Sequence, residues 1–319
     1  MANLSKFNGV ALANIGKVDG VAAAQIAKID GVTYTPAFTN TKSLSHGPAN
    51  VTDAVRAAST SSDFNLIQTD AWSVSFWVKV GWGTSTGSSF HFVASDGGNV
   101  HNNMWRVYFN NGNNRLYIGW RSATNQKTNN FVYFHNSGTN EAAYISGLGT
   151  SWPSDKWSSS NRGYTTSDGF NLITITKGTA VSASRANVNM YWNSKNLGTL
   201  FYANGNNTGT ISMDSNTGRD WAIGNNSWNL NGQQGNGVAS LYDEVSLWDK
   251  ELSQSEVAEI WGGTDSVGAT NGSPINLQTS SMSSNLIGYW RFETDGTVST
   301  VGSATLTIVG NSTTSTTVP

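Results

Sequence analysis

Residues 71–80 read AWSVSFWVKV, and this stretch decides how the rest of the chain is read. Trp72, Val74, Phe76, Val78 and Val80 fall on one side of an extended backbone, Ser73, Ser75, Trp77 and Lys79 on the other. Strict alternation of this kind predicts a strand with one face in a core and one in water, with Trp77 as an exception on the polar face. Further strand candidates lie at 89–94, 104–110, 115–120, 131–135, 170–176, 187–192, 199–202, 210–213, 221–224 and 240–248. Gly/Asn clusters separate them, such as NNGNN at 110–114 and NGNNTG at 204–209. Many short strands with turn chemistry between them predict an all-β antiparallel sandwich.

Composition agrees. Of 319 residues only 12% are charged, while 34 are Gly and 13 are Trp. Small polar residues with many aromatics suit strands and turns and suit long helices poorly. The net charge of −2 and the lack of a basic run remove the electrostatic footprint of nucleic-acid binding. No apolar run approaches the roughly 18 residues of a membrane span, and no basic-then-apolar leader predicts secretion. The absence of Cys excludes disulfides and thiolate metal sites and fits folding in a reducing cytoplasm.

The chain is expected to have three parts: residues 1–35, residues 36–262, and a Gly/Ser/Thr-rich connection with further strands at 263–319 that completes the sandwich. The first part repeats every eleven residues. Phe7, Val18 and Ile29 recur at that interval, as do Gly9, Gly20 and Gly31, and Ile15 and Ile26. Asn8-Gly9, Asp19-Gly20 and Asp30-Gly31 are tight-turn pairs. One such unit buries almost nothing alone, so regular copies must stack on neighbours or on another chain. The reading is an extended assembly arm. A local helix or disordered leader is the competing reading, and Gly every eleven residues argues against the helix.

One helix is legible. In ELSQSEVAEIW, residues 251–261, Ser253 and Glu256 form a capping box, and Leu252 and Val257 flank it as a hydrophobic staple. Val257, Ile260 and Trp261 share a face, and Gly262-Gly263 stops the helix. It should lid one edge of the sandwich.

GVASLYDEVSLWDKELSQSEVAEIW, residues 237–261, resembles the closing segment of laminin-G-like domains in the concanavalin A-like lectin/glucanase superfamily. DAWSVSFWVKV at 70–80, WAIGNN at 221–226 and NLIGYWRFET at 285–294 resemble other strands of such domains. The resemblance implies a jelly-roll sandwich with a short capping helix. The repeats of the form KVDGVA resemble arms of virion structural proteins from tailed bacteriophages, marine ones especially. That second resemblance implies a virion protein of head, neck or tail, a capsid decoration or tail-fibre component. It would be attached to other virion proteins through residues 1–35 and oligomeric, with a trimer preferred by analogy with viral fibres. A bacterial carbohydrate-binding adhesin is the alternative, and a glycoside hydrolase a third reading.

Hydrolysis of a glycoside needs two carboxyl groups about 5–10 Å apart across one sugar. The Glu-x-Asp-x-x-Glu strand motif that glucanases of the superfamily share is absent. Asp243-Glu244 is the best local pair, and neighbours on a regular strand point to opposite faces. Tyr242, Glu244, Ser246 and Trp248 would share one face, and Leu241, Asp243, Val245 and Leu247 the other. The expectation is therefore no catalysis. Asp243 falls on the apolar face and needs partners; it reads as a structural carboxylate fixing a corner, with a calcium ligand as the sharper alternative. SDGGNVHNN, residues 95–103, offers Asp96, Asn99 and Asn102 as calcium ligands, although calcium prefers several carboxylates and an ordinary loop competes. No other cofactor is expected. His46, His91, His101 and His135 show no metal spacing. Glycan binding without catalysis would use aromatic platforms. Trp105 and Trp120 alternate with apolar neighbours and read as core, leaving Trp152, Trp157 and Trp228 as the carbohydrate-binding candidates.

Overall fold

The computed structural model describes residues 6–7, 10–11, 17–18, 21–22, 28–29, 32–33, 38–45, 54–57, 71–80, 89–95, 104–110, 115–121, 130–135, 170–179, 188–200, 221–224, 240–262, 272–293, 301, 306–309 and 312–319. The chain divides into two units, Met1–Thr39 and Asn40–Pro319. In the first, six two-residue strands form three separate antiparallel pairs. β1 (Lys6–Phe7) pairs with β2 (Val10–Ala11), β3 (Lys17–Val18) with β4 (Val21–Ala22), and β5 (Lys28–Ile29) with β6 (Val32–Thr33). Phe7 opposes Val10, Val18 opposes Val21 and Ile29 opposes Val32. Each pair therefore has a two-residue connection, Asn8-Gly9, Asp19-Gly20 or Asp30-Gly31. These dipeptides favour the positive φ that a two-residue hairpin needs.

The second unit is an all-β sandwich with a single helix among its described residues. Its strands are β7 (Ser43–Ser45), β8 (Ala54–Ala57), β9 (Trp72–Val80), β10 (Ser89–Ser95), β11 (Met104–Asn110), β12 (Arg115–Arg121), β13 (Asn130–His135), β14 (Asn171–Lys177), β15 (Val188–Trp192), β16 (Lys195–Leu200), β17 (Trp221–Ile223) and β18 (Ser240–Trp248), followed by helix α1 (Gln254–Trp261) and by β19 (Leu286–Trp290), β20 (Leu306–Val309) and β21 (Thr313–Ser315). One sheet runs β13-β12-β11-β10-β17-β8-β20. The other runs β16-β15-β14-β9-β18-β7-β21, with β19 also paired to β18. All pairings are antiparallel, so the turn-rich sequence between strands can close hairpins directly. The strand candidate at 210–213 lies outside the described residues.

The central strands of the second sheet, β9, β14 and β18, are buried on both faces, which corrects the half-buried reading of residues 71–80. Val74, Phe76 and Val78 face inward and are buried, as are Val107, Ile223 and Leu306 from the opposite sheet. Ser73, Ser75 and Trp77, expected in water, are buried too. A second apolar layer covers them. It joins Trp77, Leu172, Tyr191 and Trp248 of the sheet to Leu252, Val257, Ile260 and Trp261 around the helix, and to Leu277, Met282, Leu286 and Tyr289 beyond it. The serines are bonded rather than solvated. Ser73 Oγ donates to Lys250 O at 2.7 Å and accepts from Leu252 N at 3.0 Å, while Ser75 Oγ shares a 3.0 Å bond with Thr174 Oγ1. They tie the approach to the helix onto the sheet and satisfy polar groups that burial would otherwise penalise.

The helix ends match the sequence signals. Glu256 N donates to Ser253 Oγ at 3.3 Å and Ser253 N donates to Glu256 Oε2 at 2.8 Å, closing the box. Leu252 and Val257 are both buried in the outer layer. Gly262 takes φ 71° at the C-terminus, and Ser273 N donates to Trp261 O at 3.0 Å. That bond returns the chain over the helix, so that Gly272 lies against the face of the Trp261 ring.

Candidate functional site

The site is built on a bulge in β18. Asp243 stands opposite Trp77, but Ser246 stands opposite Ser75, so β18 uses three steps where β9 uses two. The extra residue falls at Glu244–Val245, and Glu244 takes φ 48°. A left-handed backbone is uncommon for a residue with a side chain. Such bulges insert one residue and re-aim the side chains beyond it. The face assignment made from plain alternation is corrected here. Tyr242 and Leu247, opposite Val78 and Val74, turn inward, whereas Asp243, Ser246 and Trp248, opposite Trp77, Ser75 and Ser73, turn outward. Tyr242 accordingly meets Phe76 at 6.4 Å between ring centroids, and Trp248 joins the outer layer.

The two carboxylates do not diverge as expected. Both are buried, Asp243 at 0% exposure and Glu244 at 2%. Asp243 Oδ2 accepts from Asn40 Nδ2 at 2.9 Å, and its Oδ1 accepts from Glu244 N at 2.9 Å. Glu244 Oε2 accepts from the hydroxyl of Tyr289, which lies opposite Ser246 on the outer face. Glu244 Oε1 accepts from Arg291 Nε at 3.3 Å. Arg291 also lies 3.9 Å from Glu293 Oε1, and Glu293 accepts from Thr41 N at 2.8 Å and Thr41 Oγ1 at 2.5 Å. The Arg291 guanidinium thus serves Glu244 and Glu293, while Asn40 and Thr41 bond to Asp243 and Glu293.

Burial dominates the electrostatics. It pushes Asp243 up to about 9, with the charge of Glu244 adding to the rise and the Asn40 bond opposing it. Burial likewise raises Glu244, to about 7, against the bonds from Tyr289 and the charge of Arg291. The Tyr289 hydroxyl is raised by burial and then by the charge of Glu244, so it remains a donor.

Asp243 is thus held by an amide on one oxygen and a backbone N–H on the other. Among the described residues no group of three or more His, Asp and Glu is arranged to hold a metal. The calcium candidates Asp96, Asn99 and Asn102 and the carbohydrate candidates Trp152, Trp157 and Trp228 lie outside the described residues. So do Gly9, Ile15, Gly20, Ile26 and Gly31 of the repeat, while Phe7, Val18 and Ile29 each occupy the last position of a first hairpin strand. Trp105 and Trp120 stand directly opposite one another in β11 and β12. His91 lies in β10 and His135 in β13. Sequence reasoning missed Asn40, Tyr289, Arg291 and Glu293. The signal was present in YWRFE, where Tyr289, Arg291 and Glu293 recur with period two between Trp290 and Phe292.

No protein-family model and no curated protein matches the sequence. Several solved structures are similar in shape. A candidate carbohydrate-binding protein from Bacteroides ovatus aligns with 91% of this chain and 65% of its own, at 9% identity and a TM-score of 0.47. The binding domain of botulinum neurotoxin serotype G aligns with 64% of this chain and 39% of its own, at 16% identity and a TM-score of 0.38. A variant of the NanB sialidase from Streptococcus pneumoniae aligns with 67% and 28%, at 13% identity and a TM-score of 0.40. This chain spans less than two thirds of the length of each.

Proposed function

We propose that the protein is a non-catalytic carbohydrate-binding module, a lectin-like sandwich that presents aromatic side chains to glycans. The fate of the acidic pair carries this reading. A glycosidase needs two carboxyl groups open to a sugar, whereas Asp243 and Glu244 are withdrawn from solvent and committed to Asn40, Tyr289 and Arg291. Recognition is assigned to Trp152, Trp157 and Trp228, whose rings would stack on the C–H faces of sugars. A glycan array with the full chain tests it. Binding to a defined set of glycans that is lost in Trp152→Ala, Trp157→Ala or Trp228→Ala supports the proposal. Release of reducing sugar, or failure of the folded protein to retain any glycan, overturns it.

A second reading concerns how the module is mounted. Three hairpins at an eleven-residue interval, each with only two paired residues per strand, favour an arm that takes its order from other molecules. We infer that residues 1–35 attach the sandwich to a larger assembly. A trimeric virion appendage or capsid decoration of a tailed phage is one such setting, and a bacterial adhesin another. Deletion of residues 1–35 should leave a folded sandwich that is monomeric by light scattering while the full chain associates. Equal behaviour of the two proteins would refute the arm. Mass spectrometry of purified particles separates the virion from the cell surface.

A further inference from the structure

We propose that strand β20 is a pairing edge for β20 of a second copy of this chain, the two strands meeting antiparallel about a two-fold axis at Ile308. The inference deepens the assembly reading above. It rests on residues 1–35 to bring copies together and names how the sandwiches then meet.

The register of the first sheet carries it. Ile308 stands opposite Val55, Val55 opposite Ile223, and Ile223 opposite Val93. Val93 stands opposite Val107, Val107 opposite Ile118, and Ile118 opposite Val132. One row of Val and Ile thus crosses every strand of this sheet. Residues directly opposite one another share a face. Here that face is the core, because Val107 and Ile223 are fully buried, and so is Leu306, two residues before Ile308 on the same strand. Ile308 ends the row at 37% exposure, the large apolar side chain left open among the described residues. The inner layer therefore stops with its last member partly uncovered, and one more strand would cover it.

This edge lacks the usual guards. Among the described residues β20 pairs with β8 alone, and without a register shift. No charged side chain occurs from Gly296 to Pro319, and β20 holds no Pro. Edge strands are ordinarily protected by charge, Pro or a bulge. β16, an edge of the second sheet, has both Lys195 and a register shift against β15. β21, the other edge of that sheet, belongs to the same terminal segment as β20, and its Thr313 and Thr314 are exposed and uncharged.

The occupant follows from the row. An axis normal to the sheet at Ile308 keeps the core faces of both copies on one side and sets Ile308 against Ile308. The row then runs unbroken into the row of the second copy. Such a contact is isologous and closes at two. Pairing of β20 with β13 of another copy would also continue the row, to Val132, but it would be heterologous and open-ended. The tether favours the first. The unit of residues 1–39 leads into the sandwich through β7 and β8, the strands that β21 and β20 border. A four-residue strand is too small for a stable interface by itself, so the edges pair at the effective concentration that the tether supplies.

The chain has no Cys, so Ile308→Cys supplies a single thiol. In the proposed pair this thiol faces its own copy within disulfide reach. Under mild oxidation the full-length Ile308→Cys chain should form disulfide dimers at least roughly tenfold faster than Thr179→Cys, an exposed control just beyond β14. Light scattering of the reduced chain reads the arm separately. Association with cross-linking no faster than the control overturns the edge and leaves the arm standing. A monomer that cross-links no faster than the control overturns both. A mixture of Ile308→Cys and Val132→Cys chains that forms mainly the mixed disulfide overturns the symmetric pairing. Should reduced Ile308→Cys melt well below wild type, a mixture of Thr307→Cys and Val309→Cys chains gives the same readout, since those positions stand opposite one another in the same pairing.

Discussion

Trp77 of β9 and Trp261 of α1 stack with ring centroids 4.9 Å apart and planes 14° from parallel. The pair joins the sheet to its helix, and both rings are nearly inaccessible at 2% exposure. Trp261→Ala should therefore cost about 3–5 kcal/mol, as for other buried large aromatics. Trp261→Phe should cost less, because it retains an aromatic face. Denaturant titration at unchanged m-value measures both.

Two glycines on the return from the helix test the same layer. A Cβ on Gly272 would lie 2.3 Å from the Trp261 ring, and one on Gly262 would lie 1.9 Å from Ser273 O at a φ of 71°. The first would need the buried Trp261 ring to shift, and the second would need the backbone itself to move. Gly262→Ala should be the more damaging, since its neighbour is a carbonyl and its φ is strained for any side chain. The expected order of thermal midpoints is wild type, then Gly272→Ala, then Gly262→Ala.

Ser253→Ala removes the side-chain half of the capping box and should cost about 0.5–2 kcal/mol. The carboxyl of Glu256 is partly desolvated, which alone would raise it. The bonds from Lys250 and Ser253 outweigh that and hold it below its ordinary value. Loss of Ser253 should move the Glu256 titration upward, measured by carboxyl chemical shift.

The raised carboxyls set the pH dependence of global stability. Asp243 and Glu244 hold protons in the folded protein over a range in which the unfolded chain has released them. Stability should therefore fall as pH rises from the ordinary carboxylate range to about 7 for Glu244, and on to about 9 for Asp243. Asp243→Asn should reduce that slope. Denaturation midpoints collected across the acidic to mildly alkaline range measure it, and a stability that rises across the same range contradicts the assignment.

Local rules made much of this architecture legible. Alternation found β9, Asn-Gly and Asp-Gly pairs marked tight turns that fall between the paired strands of residues 6–33, and Ser253 with Glu256 located the helix start, because each signal lies within a few residues. The failures have a common cause in distance along the chain. Nothing near Ser73, Ser75 or Trp77 announces that residues 252–289 will cover them. Nothing in LYDEVSLW reveals an extra residue, since its composition suits an unbroken strand and the misfit exists only against β9. The acidic site was seen as Asp243 alone, because Asn40 lies 203 residues away and Arg291 lies 47 residues beyond Glu244.

The irregularity in β18 also bears on how this protein can change. Even-numbered residues ahead of it and odd-numbered residues after it turn inward, as Tyr242 opposite Val78 and Leu247 opposite Val74 do. Excising Glu244 or Val245 would make the ribbon regular and still leave Asp243 opposite Trp77 and Trp248 opposite Ser73, so the flanking side chains would keep their layers. The two interiors would survive such a deletion, and its cost would fall on the left-handed turn at Glu244 and on the carboxyl contacts built upon it.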